Sequence, residues 1–124
     1  MSHLTHASQT YCLHGTEFHS YASSRSGAAE LGGWRADFSP HTPGQAHSMS
    51  REELILVLDG ALEVELGRQR FTARQGDAIL VPAGSRFRIS NNTASSAQAW
   101  VVTTLGMTAT MDCGRRLVTP PWAQ

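Results

Sequence analysis

The dipeptide Asp59-Gly60 constrains this chain more than any other feature. It stands between EELILVL (52–58) and ALEVELG (61–67). Both residues tolerate positive φ, so Asp-Gly between two such runs predicts a two-residue β-hairpin. The second run alternates Leu62, Val64 and Leu66 with small or acidic residues, which is the period of a half-buried strand. The first run has a serine, Ser50, followed by Glu53 in the manner of a helix N-terminus. Its five consecutive apolar residues and the Asp-Gly stop fit a strand better.

The remainder reads the same way. Gly76-Asp77 precedes a short run at 78–81, which Pro82 ends because proline cannot donate to a sheet ladder. Arg86, Phe87, Arg88 and Ile89 alternate again, Asn91-Asn92 reads as a turn, and AQAWVVTTLG is one more strand. Upstream, GTEFHSYA and GGWRADF read as strands separated by the Ser/Gly-rich SSRSGAAE. No helix is expected. Many short strands with closely spaced turns indicate an all-β sandwich, jelly roll or small barrel.

A chain of 124 residues is one domain by size and can bury a core without disulfides or a structural metal. Residues 1–20 read as an N-terminal segment, either flexible or an edge strand, and 21–124 as the single domain. The C-terminal VTPPWAQ is expected to be extended by its prolines and docked by Trp122. Ten arginines balance ten acidic residues, so no global field draws the chain to nucleic acid or a membrane. The apolar run LILVL is far too short to cross a bilayer. The N-terminus shows no basic region followed by an apolar one, which leads to the expectation of a cytoplasmic protein. Cys12 and Cys113, without a C-x-x-C pair, are expected as free thiols. His3, His6, His14 and His19 read as surface residues.

Two segments carry a resemblance. HSMSREELILVLDG has His47, Glu53 and Gly60 at the spacing H-x-H, three or four residues, E, six residues, G. GDAILVPAGSRFRISN has Gly76, Pro82, Gly84 and Asn91 at the spacing G, five residues, P-x-G, two residues, H, three residues, N. In this the chain resembles the cupin superfamily, whose fold is a jelly-roll β-barrel, the double-stranded β-helix. The resemblance implies that His47, Met49, Glu53, Ile55 and Val57, which share parity, face the barrel interior, together with Phe87 and Ile89. Leu54, Leu56 and Leu58 then lie on an apolar outer face, and a second subunit is one way to cover it. A homodimer is expected on that basis.

The resemblance also implies a metal site of three histidines and a glutamate, and here the chain departs from it. Met49 stands at the second histidine position and Phe87 at the third. No cofactor is therefore expected. The one rescue for a divalent metal is His41, six residues before His47, which with His47 and Glu53 would make a two-His, one-carboxylate set. Otherwise His47 and Glu53 are the polar groups of a pocket lined by Met49, Phe87, Ile55, Ile89 and His41. An inward Glu53 is expected to hold its proton unusually tightly, unless an arginine such as Arg35 pairs with it. Three functions stay open. One is a small-molecule-binding cupin without a metal. Another is an enzyme acting on a small acid or sugar: a metal-dependent oxygenase, isomerase, lyase or decarboxylase, or a metal-free isomerase with His47 and Glu53 as an acid/base pair. The third is a ligand-sensing module without its own DNA-binding element.

Overall fold

The computed structural model describes residues 3–111, 116–117 and 120–124. Twelve strands are present among them: β1 (Gln9–Leu13), β2 (Thr16–Ala22), β3 (Leu31–Phe38), β4 (His47–Met49), β5 (Glu53–Asp59), β6 (Ala61–Leu66), β7 (Gln69–Arg74), β8 (Ala78–Val81), β9 (Phe87–Ser90), β10 (Ala97–Thr104), β11 (Ala109–Met111) and β12 (Arg116–Leu117). They form two six-stranded sheets, in the order β1-β2-β3-β10-β5-β8 and β12-β11-β4-β9-β6-β7, with every pairing antiparallel. This is the all-β jelly roll expected of a cupin.

The strands on either side of Asp59-Gly60 are where the sequence put them, but they do not form a hairpin. β5 has both edges occupied, by β10 and by β8, so β6 cannot pair with it and joins the other sheet between β9 and β7. Asp59-Gly60 is therefore a corner from one sheet to the other. Gly60, at φ 79°, packs so closely on Ser96 and Ala97 that a Cβ there would overlap both. The tight hairpins lie elsewhere. His14-Gly15, with φ 49° and 82°, joins β1 to β2, and Gly67-Arg68 joins β6 to β7.

The period-two reading of β5 holds along its length. Glu53, Ile55 and Val57 are buried, while Leu54, Leu56 and Leu58 are exposed at 46%, 37% and 38%. Val57, Leu62, Val64, Val81 and Met107 are among the most completely buried side chains of the core. Leu80 (55% exposed) sits across from Leu54, and Val102 and Trp100 of β10 lie opposite Leu54 and Leu56, so the outer face of the first sheet carries a continuous apolar stripe. Asn91, read from sequence as a turn residue, is fully buried. Its amide donates to the carbonyls of Phe38, Ser39 and Ser95, and its Oδ1 accepts from Thr93. It ties the loop after β3 to the loop between β9 and β10.

The C-terminal residues Pro121–Ala123 make a single 3-10 turn and not the expected extended tail. The turn is fixed because Ala123 is buried and Gln124 accepts a backbone bond from Ser24. Cys12 is free and exposed, and Cys113 lies outside the described residues. No described helix is long and apolar enough to cross a membrane.

Candidate ligand pocket

Between the two sheets lies a cavity of about 770 Å³, inside the range of roughly 300–1,000 Å³ typical of small-molecule sites. Its walls are the inward side chains of the strands just described. Glu53 and Ile55 come from β5, His47 and Met49 from β4, Phe87 and Ile89 from β9, and Trp34, Ala36 and Phe38 from β3. The N-terminal hairpin closes one side through Tyr11, Cys12, His14 and Phe18, and the C-terminal turn through Pro120, Pro121 and Trp122. The Trp122 ring stacks on Phe18 at 3.9 Å and lies 6.3 Å from Tyr11. The resemblance and strand parity point to the residues of β4, β5 and β9, but not to Trp34, Ala36 and Phe38 of β3. They also miss the hairpin and the contribution of Trp122 to the cavity, because neither belongs to a repeating pattern.

Glu53 is only 3% exposed. Its Oε2 is buried and has no hydrogen-bond partner among the described residues. Among the described residues no arginine pairs with it. Arg35 instead holds both oxygens of Asp37, at 2.9 and 3.1 Å. Burial alone therefore acts on the carboxyl and pushes its pKa up to about 7.

His47 Nδ1 lies 2.8 Å from the carbonyl oxygen of Gln45. A carbonyl only accepts, so Nδ1 carries the proton and Nε2 is the free base. The ring rests on Phe87, with centroids 4.2 Å apart. Burial lowers its pKa, and the Gln45 bond opposes that only in part. The cavity thus contains a neutral imidazole and a carboxylic acid poised near neutrality.

His41 is not brought to them. It is exposed, does not line the cavity, and sits at φ 54° in a loop held by the Thr42–Asn91 bridge and by its own N–H to Thr93. The His41, His47, Glu53 set is therefore not assembled. The family's metal site does not fit these residues. Phe87 has no donor atom, and Met49 offers a thioether, which is too soft for the usual N/O-bound metals. One imidazole and one neutral acid remain.

Among the described residues, a different group brings three ligand atoms within 4.8 Å of one another: Glu17, His19 and Asp37. It lies on the outer face of β2 and β3, where His19 Nε2 is 3.2 Å from Glu17 and 2.9 Å from Asp37. His19 is thus not the simple surface histidine its local sequence indicates, since β2–β3 pairing places Glu17 opposite Asp37 and His19 opposite Arg35. Because Arg35 already engages both Asp37 oxygens, this group is better described as a four-residue charge network than as a metal centre.

The comparisons with known proteins agree with this architecture. A search of curated proteins gave no match. Among solved structures, the chain is similar to the polyketide cyclase RemF from Streptomyces resistomycificus, at 19% identity over 84% of this chain and 78% of that one, with a TM-score of 0.73. It is similar to a sugar phosphate isomerase from a cupin superfamily of Silicibacter pomeroyi, at 23% identity over 79% and 66% of the two chains and a TM-score of 0.66. An RmlC-like cupin from Shewanella frigidimarina matches at 15% identity over 84% and 91%, with a TM-score of 0.68. At these identities the likeness concerns the fold. The family model described as "Cupin domain" matches residues 34–103, more than half of the chain and both motif segments, and the chain belongs to the cupin superfamily.

Proposed function

We propose that this cupin binds a small organic molecule in its barrel without using a metal ion. The observation that carries the reading is Glu53: a carboxyl almost wholly removed from water, with an oxygen that no described residue satisfies, on the wall of an otherwise largely apolar cavity. An unpaired buried polar atom costs about 1–3 kcal/mol, and a ligand that bonds to it recovers that cost. The test is native mass spectrometry of tag-free protein with elemental analysis. A copurified organic mass, displaced when the cavity is blocked by Ile55→Trp, is expected. A stoichiometric metal lost on His47→Ala would overturn the metal-free reading.

One observation favours a catalytic version of the same site. An unprotonated His47 Nε2 and a Glu53 carboxyl that still holds its proton near neutrality share one cavity. Such a pair can isomerise a carbonyl compound. His47 takes the proton from the carbon next to the carbonyl as Glu53 gives its proton to the carbonyl oxygen, and the resulting enol is reprotonated at a different atom. Glu53→Gln would then abolish turnover and leave binding intact.

We further propose a second copy of this chain as the cover for the Leu54, Leu56 and Leu80 stripe. Monomeric proteins seldom leave so continuous an apolar face in water. Isologous pairing of two such faces buries both at once.

A further inference from the structure

The lining of the cavity discriminates among ligand classes, and this inference rests on the small-molecule reading above. Among the described residues, no arginine side chain reaches the cavity, and the chain has no lysine. A carboxylate or phosphate placed there would be desolvated with no arginine of the described residues as its countercharge, at a cost of several kcal/mol. It would also face Glu53, whose own ionisation adds repulsion. A sugar fares little better. Its hydroxyls need many partners spread around the ring, and the wall is mostly apolar, its polar side chains being Thr10, Tyr11, His14, Thr16, Gln45, His47 and Glu53.

What the wall offers instead is rings. Trp34, Phe18, Trp122, Phe38 and Phe87 surround the space, and the Phe18–Trp122 stack shows that flat surfaces already meet face to face there. Against them stands one buried acid with one unsatisfied oxygen. While it holds its proton, that acid donates a single hydrogen bond, and the natural acceptor is a carbonyl oxygen.

We infer that the ligand is a neutral, flat, ring-rich molecule that presents a carbonyl oxygen to Glu53, and not a carboxylate, a phosphate or a sugar. Glu53 acts as hydrogen-bond donor to that oxygen, and the aromatic side chains supply the contact area.

Two of the three tryptophans, Trp34 and Trp122, line the cavity, so intrinsic fluorescence reports occupancy. The full chain is titrated at about pH 6, where Glu53 keeps its proton, with four probes: 9-fluorenone, fluorene, 9-fluorenone-2-carboxylate and glucose 6-phosphate. Saturable quenching by 9-fluorenone is expected. Fluorene, which has the rings but no carbonyl, binds roughly fivefold to tenfold more weakly for want of one hydrogen bond. The carboxylate binds more weakly still, and glucose 6-phosphate leaves the signal unchanged. Glu53→Gln preserves the preference for fluorenone over fluorene, because an amide N–H also donates. Glu53→Leu removes the preference but retains ring binding, and thermal melting checks that both variants are folded. Tighter binding of the carboxylate or the sugar phosphate overturns the ligand class and leaves the small-molecule reading standing. An unchanged preference in Glu53→Leu overturns the role of Glu53. If none of the probes binds and no organic mass copurifies, both readings fall together.

Discussion

Replacing Glu53 by glutamine should make the protein more stable at neutral and alkaline pH, although it alters a buried residue in the middle of the barrel. Burial raises the carboxyl from an ordinary 4.5 to about 7. The folded protein therefore holds this proton more tightly than the unfolded chain. The stabilisation associated with that proton is fully present below about pH 4.5 and is lost as pH rises to and through about 7. At about 1.4 kcal/mol per pH unit, the loss amounts to roughly 3 kcal/mol. Glu53 is 3% exposed, so solvent screening does not reduce the figure. With an unfolding entropy of about 2 cal/mol/K per residue, that corresponds to roughly 10 °C in Tm for a chain of this length. Glutamine cannot ionise, so the variant lacks this slope. His47 contributes with the opposite sign. Its lowered pKa means that stability is lost as pH falls, but this occurs in both proteins and cancels in the difference. The assay is thermal unfolding of both proteins from about pH 4 to pH 9. The difference in Tm should grow from pH 4.5 upward and level off above pH 7. Two parallel curves with a constant offset would refute the reasoning, since they would mean that Glu53 titrates in the folded protein as it does in the unfolded chain.

Three further outcomes are expected. Met49→His together with Phe87→His restores three imidazoles beside Glu53, and should add one equivalent of Zn²⁺ or Mn²⁺ by isothermal titration at concentrations where the parent gains none; equal uptake by both proteins would show that the donor set was misjudged. Leu54→Lys with Leu80→Lys should convert a dimer to a monomer in sedimentation velocity with little change in Tm, because both side chains are about half exposed in one chain; a parent that is already monomeric at every concentration removes the second copy from the account. Asn91→Ala removes three donations from a fully buried amide, to the carbonyls of Phe38, Ser39 and Ser95, of which the latter two keep the hydroxyls of Thr42 and Thr93, and should cost about 1–3 kcal/mol in urea unfolding; no measurable loss would mean that water replaces the amide there.

The motifs together with strand parity made one wall of the pocket legible in the sequence: His47, Met49, Glu53, Ile55, Phe87 and Ile89. Period two places Ile55 on the cavity side once Glu53 is inward, while the inward placement of Met49, Phe87 and Ile89, on other strands, comes from the two motifs of the resemblance. What parity cannot supply is which edges are already taken. The Asp59-Gly60 hairpin failed for that reason, since β10 and β8 fill both sides of β5 and a local turn signal carries no information about them. The same limit hid the His19 network, which exists only because β2 pairs with β3 in one register. His41 was placed by counting along the chain, but a loop's path is set by its anchors, here Thr42 and Asn91, and they hold it outside.

The departures from the metal motif and the state of Glu53 are one fact seen twice. In a barrel with four ligands, a bound cation would compensate the buried carboxylate and keep it ionised. Met49 and Phe87 remove the cation's ligands but not the burial, so desolvation acts on Glu53 unopposed and the acid stays protonated up to about pH 7. The same two substitutions turn the wall apolar at the place where the ion would have been coordinated. On the metal-free reading proposed above, the site is not inert. It offers a single proton donor in an apolar setting in place of a charge that attracts anions, which is the physical basis of the proposed preference for neutral ligands.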